Sequence, residues 1–391
     1  MEFLEVINTQ NRLVEFLQSK HHVEGLTHSF YRYPARFAPE FVREAITQFS
    51  REGDCVLDTF MGGGTTIVEA IAAGRSALGT DINPLAHFVT AVKTTPLSSR
   101  DRERILCWAS QFNIDGPPQG YRLISDPRLR NVPTEIRDFL LSAVFSIDQL
   151  EFPRQRRFVR CALVRLGQWA IDCRTSIPSP EIMKTQLLKH VLDMLKGLDE
   201  LVQAAKNSDV SKNKITNRRN LYCGTIQEAM RDNDFAKSLP RPKLVLTSPP
   251  YPGVHMLYHR WQVHSRRETA APYWLADLRD GHGESFYTFG GRSKRGVEHY
   301  FLRLTETFKS TREFIDTSAL VVQLVAFSDP EAHLSAFLRA MNCAGYEELT
   351  PFGGSRSDRP IRMVPNRKWY TQLGASQCAS NEILLFHRPR T

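Results

Sequence analysis

The sequence predicts a doubly wound α/β fold in which a mostly parallel sheet is interrupted midway by a block of helices. Three observations carry this. Cys55-Val56-Leu57 is a short apolar run that ends at Asp58 and leads into the turn Gly62-Gly63-Gly64. A helical stretch and a second apolar run, Ser76 to Thr80, follow, and that run closes on Asp81. Strand, glycine turn, helix, strand and acid together open a nucleotide-binding sheet. From Ser98 to about Thr216 the apolar residues then recur at helical spacing, before short apolar runs return.

The elements follow in order. Phe3, Leu4, Ile7, Leu13, Val14, Phe16 and Leu17 suit a short amphipathic helix within Met1 to Gln18. Pro34 and Pro39 bracket the extended stretch YRYPARFAP, and a helix follows from about Glu40 to Phe49. Thr65 to Ala73 reads as a helix stopped by Gly74, since glycine readily takes the left-handed turn that ends a helix. The helical block carries Ile105, Leu106 and Trp108, then Phe139, Leu140 and Val144, then Phe158, Leu163, Leu166 and Trp169, then Leu187 to Leu195. Pro117-Pro118 and Ile177-Pro178-Ser179-Pro180 break it. Asn220 to Cys223, Lys243 to Leu246, Ala319 to Phe327 and Glu382 to Phe386 read as the remaining strands. The chain divides accordingly at 1–97, 98–216 and 217–391.

Composition bounds the function classes. The chain has 391 residues, 41% hydrophobic and 24% charged, which are globular values. The run Ala319 to Phe327, interrupted by Gln323, is far short of the ~20 residues a membrane span needs. MEFLEVINTQ lacks the basic start and apolar block of a secretory signal, so the expectation is a cytoplasmic protein without membrane partners. Seven cysteines without a CxxC pair argue against a disulfide framework and a zinc ribbon; Cys55 and Cys223, in apolar strands, read as core residues. The net charge is +9, and the excess is clustered: 14 Lys/Arg against 7 Asp/Glu from Glu151 to Arg219, and 7 against 2 from Pro351 to Thr391. Clustered positive charge suits a polyanion, because each neutralised phosphate releases counterions.

The chemistry gathers in two loops. Thr247-Ser248-Pro249-Pro250-Tyr251 directly follows the apolar run Lys243 to Leu246, and the carboxyl end of a strand is where open sheets bind ligands. Two prolines fix both φ angles and remove two donors, which leaves carbonyls that can only accept. Ser248 Oγ and the Pro249 carbonyl can then take the two hydrogens of an exocyclic amino group, freeing the nitrogen lone pair to meet an electrophile. Tyr251 offers a flat face for an extruded base. The other loop, DTFMGGGTT from Asp58, lets backbone approach a ligand, and Asp81 can bind ribose hydroxyls. It is not a GxGxxG turn and carries no P-loop lysine.

Together DTFMGGGTT, TDINP and TSPPY resemble the signature set of S-adenosylmethionine-dependent amino-methyltransferases of DNA. YRYPARF is similar to that family's segment beside the methionine end of the cofactor. The resemblance covers about Tyr31 to Pro84 and Leu221 to Arg260. It implies a Rossmann-like class I methyltransferase sheet, S-adenosyl-L-methionine as cofactor and duplex DNA as partner. Site residues follow by position: Ser248, Pro249, Pro250 and Tyr251 for the target base, and Asp58, Gly62, Gly64, Thr65 and Asp81 for the cofactor. Tyr33, Pro34, Phe37, Phe60, Asn83 and Thr225 join the cofactor set. A serine leading the tetrapeptide is commonest among cytosine-N4 enzymes, so the expected product is N4-methylcytosine. Adenine-N6 methylation, an RNA base substrate and a catalytically silent binding protein stand as alternatives. Thr59 and Gly63 depart from the family's proline and serine, and Thr225 stands where an acid usually meets the adenine. The resemblance leaves open the recognition sequence and a cognate restriction endonuclease.

Target recognition has three candidates: the helical block, the segment after the catalytic loop made of His255 to Trp274 and Phe286 to Gly296, which carries Arg266 and Arg267, and Arg359, Arg362, Arg367, Lys368, Trp369 and Tyr370. Glycine pairs at 290–291 and 353–354 are candidate hinges. His255 and His259 have metal-site spacing but no intervening glutamate and no third ligand, so no metal is expected.

Overall fold

The computed structural model describes residues 12–19, 25–33, 37–112, 126–172, 174, 176–252, 260–264, 267–280, 289–291, 293–327, 329–350, 359–363 and 381–390. Residues 12–18 are helical and bury Leu13 and Leu17. Helix α1 (Pro39–Phe49) starts at a proline and buries Phe41, Val42, Ala45 and Ile46. Then come β1 (Cys55–Asp58), α2 (Thr65–Ala72), β2 (Ser76–Asp81) and α3 (Pro84–Lys93). The expected helical block is α4 (Ser99–Gln111), α5 (Thr134–Ser146), α6 (Pro153–Ile171) and α7 (Pro180–Asn207). The remainder is β3 (Arg219–Cys223), α8 (Ile226–Ala229), α9 (Asn233–Ala236), β4 (Leu244–Thr247), β5 (Trp261–Val263), β6 (Arg267–Thr269), α10 (Ala271–Ala276), α11 (Lys294–Phe314), β7 (Leu320–Ala326), α12 (Pro330–Cys343), β8 (Tyr346–Leu349), β9 (Ile361–Met363) and β10 (Asn381–Pro389).

The main sheet has the order β3-β2-β1-β4-β7-β10-β8, with β9 paired to β10. The pairs among β3, β2, β1, β4 and β7 are parallel, and β10 is antiparallel to β7, β8 and β9. The doubly wound α/β expectation is borne out. Alternation decides the two faces. Val56, Leu244, Leu246, Val322 and Leu384 pack with α1, α2 and the end of α7, whereas Cys55, Leu57, Val245, Val321 and Leu385 pack with α8, α11 and α12. Cys223 is a correction: it is exposed, because β3 is the sheet edge and its far side is uncovered.

The helical block shares its core with its neighbours. Phe158, Leu163, Leu166, Leu187 and Met194 pack in one cluster with Leu85 and Val89 of α3, Trp261 of β5 and Tyr273 of α10. No described helix is long and apolar enough to cross a membrane.

The strand order positions the site. From β1 the chain winds outward through β2 to β3, then returns to lay β4 on the other side of β1. Loops leaving β1 and β4 at their carboxyl ends therefore diverge over a crevice, the place where such sheets bind ligands.

Candidate active site

The two loops are joined under the crevice. Thr247 Oγ1 donates to Asp58 Oδ1 at 2.7 Å, and Thr59 Oγ1 lies 3.3 Å from Thr247 Oγ1. The Phe60 amide also donates to Asp58 Oδ1, at 3.1 Å, and Thr66 Oγ1 donates to the Leu246 carbonyl at 3.3 Å. Asp58, Thr59, Thr66 and Thr247 are all buried. Phe60, Gly62, Asp81, Ser248, Pro250 and Tyr251 are only half-buried and form the part of these loops that solvent reaches.

The glycine turn is shaped from behind by protein. Gly64 has φ +73°, and a Cβ there would stand 2.4 Å from Thr90 Oγ1; a Cβ at Gly63 would stand 2.9 Å from Tyr33 Cβ. Tyr33 and α3 thus press on one side of the turn, and buried Lys93 donates from Nζ to the Gly63 carbonyl at 2.6 Å. Gly64→Ala combines a strained φ with a collision. We expect it to lower stability by about 2–3 kcal/mol in urea unfolding. A change below about 0.5 kcal/mol would show that the turn relaxes freely.

Asp81 ends β2 opposite this turn. Its Oδ2 accepts from the Gly62 amide and its Oδ1 from the Asn83 amide, both at 2.8 Å. Burial raises its pKa to about 6, with the nearby Asp58 charge acting in the same direction. Burial likewise raises Asp58 to about 6, against the bonds from Thr247, Thr66 and Phe60. Among the described residues neither carboxylate forms an ion pair. Two acids without a described cation, Asp58 buried and Asp81 half-buried, suit a ligand that brings positive charge and hydroxyl donors of its own.

Three expected cofactor residues also have partners within the scaffold. Asn83 is 1% exposed and caps α3: its Oδ1 accepts from the Leu85 amide at 2.9 Å and the Tyr273 hydroxyl at 3.1 Å, and its Nδ2 donates to Tyr33 Oη at 3.2 Å. Phe37 is buried against Phe41. Thr225 caps α8 in a reciprocal box with Glu228, its Oγ1 accepting from the Glu228 amide at 3.3 Å while its own amide donates to the Glu228 carboxylate at 2.8 Å. The spacing Thr225-x-x-Glu228 is the sequence signature of that cap. Thr65 opens α2 and is buried, and Phe60 meets Phe289 edge-on at 5.5 Å. Pro34 lies outside the described residues.

At the second loop Ser248 Oγ donates to the Leu324 carbonyl of β7 at 2.9 Å. That bond uses the hydroxyl's one proton and leaves its oxygen an acceptor. Pro249 is buried and supplies no donor. Tyr251 Oη donates to Glu382 Oε1 of β10 at 2.8 Å. Sequence reading places Thr247 and Thr66 in the two motifs without giving them a role, and it does not single out Lys93 or Glu382. Lys93 and Glu382 reach the site only through strand and helix adjacency.

The rival recognition segments meet in one body. Trp261 packs on α6, where a Cβ at Gly167 would come within 2.6 Å of its ring, and its Nε1 donates to Tyr31 Oη at 3.3 Å. The Gln262 amide donates to Asp172 at 3.0 Å, Asn131 to the Glu268 carbonyl at 2.8 Å, and Arg160 to the Leu275 carbonyl at 3.0 Å. Arg267 is exposed on β6, and Arg174 stacks on Trp169 at 4.2 Å. In the third candidate, Arg359 grips Glu348 and Arg362 grips Glu382, both tying the sheet together. Gly290 packs against the first turn of α11, where a Cβ would meet the Gly296 carbonyl at 2.2 Å. His255, His259, Arg266, Arg367, Lys368, Trp369, Tyr370 and the glycines at 353–354 lie outside the described residues.

Residues 10–91 match a family model described as DNA methylase, of the N6/N4 type. Among curated relatives, the type II methyltransferase M.MvaI of Kocuria varians is 27% identical over 270 residues, covering 63% of this chain and 57% of the relative. The type II methyltransferase M.BsoBI of Geobacillus stearothermophilus is 33% identical over 96 residues, covering 24% of this chain and 18% of the relative. The chain therefore spans little more than half the length of the first of these relatives and under a fifth of the second. A solved structure of TrmN from Thermus thermophilus aligns over 90% of this chain and 49% of its own, at 11% identity and a TM-score of 0.32, too low to bear on function. The family resemblance read from the motifs is borne out over residues 10–91.

Proposed function

We propose, on the premise that this chain belongs over residues 10–91 to the N6/N4 DNA methylases, that it methylates an exocyclic amino group of a base in duplex DNA, the N4 of cytosine. The observation that carries this reading is the bond from Thr247 to Asp58, which locks the loop bearing Ser248 to Tyr251 against the glycine turn across the switch point. The cofactor, S-adenosyl-L-methionine, supplies a methyl group activated by a positively charged sulfur. The residues present fit it: Asp58 and Asp81 are anionic and unmatched by any described cation, and the turn between them opens to solvent at Gly62. Asp81 would accept from ribose hydroxyls, and Asp58 would balance positive charge.

The chain's remaining task is positioning. Ser248 Oγ and the Pro249 carbonyl accept the two amino hydrogens, which turns the nitrogen lone pair out of conjugation with the ring. The ring of Tyr251 takes the flipped base on its face. Once the nitrogen is alkylated its surplus proton is acidic and passes to water, so a strong general base is not needed. The cytosine assignment rests on serine leading the tetrapeptide. Arg267 and the Trp169–Arg174 stack on the joint body of helical block and β-hairpin provide charge and aromatic surface for DNA.

The test is to incubate the protein with methyl-labelled S-adenosylmethionine and unmethylated duplex DNA, with RNA in parallel, and to analyse the digested nucleosides by mass spectrometry. Label in N4-methyldeoxycytidine is expected. Label in N6-methyldeoxyadenosine alone would move the target to adenine, and label in RNA alone would replace DNA as substrate. No label, with cofactor binding seen by calorimetry, would overturn the enzymatic reading.

A further inference from the structure

The tetrapeptide that begins at Ser248 has fewer backbone donors to pin it than an ordinary loop. Pro249 and Pro250 have no N–H, so two of its four residues offer the neighbouring strands no donor. The hydroxyls at its two ends supply ties that the two prolines cannot. Ser248 is tied to the Leu324 carbonyl on β7 at 2.9 Å, and Tyr251 is tied to Glu382 on β10 at 2.8 Å. The antiparallel course of β10 makes the second tie possible. Its first residues lie beside the carboxyl end of β7, with Glu382 opposite Ala326, and β7 in turn pairs with β4, with Gln323 opposite Thr247.

The Glu382 side chain is 7% exposed and has both oxygens engaged. Oε1 accepts from Tyr251, and Oε2 accepts from Arg362 Nη1 at 3.0 Å, Arg362 being its register partner on β9. A buried carboxylate is costly unless a cation and donors satisfy it, and here the cation stands on the side away from the tyrosine. The result is a relay of Arg362, Glu382 and Tyr251 Oη in which the carboxylate is paired on one oxygen and accepts from the phenol on the other. Charge-assisted bonds of this kind are shorter and about twice as strong as neutral ones.

We propose that Glu382, backed by Arg362, is a positioning residue that fixes the ring plane of Tyr251. On the proposed reading of this site, that plane is the surface on which the target base stacks. Glu382 does not touch the base. It acts through Tyr251, by holding the ring before DNA arrives so that base capture need not order it.

The experiment is a double-mutant cycle with the full chain: Tyr251→Phe, which keeps the ring and removes the hydroxyl, Glu382→Ala, and the two combined. Turnover is followed on unmethylated duplex DNA, S-adenosylmethionine affinity by calorimetry, and stability by urea unfolding. Each single variant is expected to lower kcat about tenfold, with cofactor affinity within twofold of the parent. The double variant is expected to lose no more than the worse single one, because both changes break one bond. Glu382→Gln, which keeps an oxygen for the phenol, is expected to recover most of the lost turnover, and it replaces Glu382→Ala in the cycle should that variant not fold. Losses that multiply to about a hundredfold in the double variant would overturn the proposal, as would a parallel loss of cofactor affinity in Glu382→Ala. If the parent protein transfers no methyl group to DNA, the proposed function fails, and the relay is judged on the urea midpoints. Non-additive shifts support it and additive shifts overturn it.

Discussion

Ser248→Ala is expected to lower methyl transfer to DNA by about 10²–10³-fold while leaving S-adenosylmethionine affinity within a factor of two. Removing one preorganised polar group aimed at a reacting centre has effects of that size, and Ser248 is preorganised by its bond to the Leu324 carbonyl. Because that bond consumes the hydroxyl proton, the oxygen meets a target amino group only as an acceptor. Alanine leaves the backbone and the two prolines in place but removes that acceptor. The Leu324 carbonyl also loses its donor, a stability cost of about 1 kcal/mol, too small to unfold the chain. The residues expected to hold the cofactor, Asp58 and Asp81, stand on β1 and β2. Turnover and cofactor affinity should therefore separate. Unchanged turnover would remove Ser248 from the chemistry, and a parallel loss of affinity would make it structural.

Why some of this was legible in the sequence and some was not follows from how far each residue's partners lie along the chain. The strands Cys55–Asp58, Ser76–Asp81, Leu244–Thr247, Leu320–Ala326 and Asn381–Pro389 all fall on apolar runs, since a buried strand needs only its own residues to announce it. The helical block was equally visible from its period. The helices Lys294–Phe314 and Pro330–Cys343 were passed over, although Ser293 and Asp329 cap them and a proline follows Asp329. Asn83 has a second, structural role that the motif does not announce, for a related reason. Asn-Pro is an N-cap followed by a first-turn proline, so the cap is written in the same residues as the motif in which it sits. The contacts that assemble the site span long stretches of chain, Thr247 to Asp58, Lys93 to Gly63 and Glu382 to Tyr251. They depend on which strands become neighbours, and no periodicity encodes that.

The second large effect concerns pH and the two unmatched acids. Asp58 and Asp81 are raised by burial to about 6, above the ~3.9 of an aspartate in an unfolded chain. A raised carboxylate stabilises the fold below its unfolded pKa, and this contribution is lost as pH rises through about 6. At pH 8 both groups are charged at a cost to the ligand-free fold, the larger for Asp58, which is buried where Asp81 is half-buried. A ligand that brings positive charge and hydroxyl donors binds the ionised forms, so its affinity must fall as they protonate. For wild type we expect S-adenosylmethionine affinity to be flat above pH 7 and to drop at pH 5 by about tenfold for each carboxylate that must ionise. Asp58→Asn separates the two consequences. Its amide oxygen can still accept from the Phe60 amide and Thr247, both of which bond to Oδ1 in the native protein. With the buried charge gone, the variant should be about 1–3 kcal/mol more stable than the parent at pH 8 and no more stable at pH 4. It should also bind cofactor at least tenfold more weakly and lose part of the pH dependence. Greater stability with weaker binding is the signature of a site that keeps an unfavourable charge for its ligand. A variant destabilised at pH 8, or a wild-type affinity indifferent to pH between 5 and 8, would show that these acids are structural and that the cationic ligand is held elsewhere.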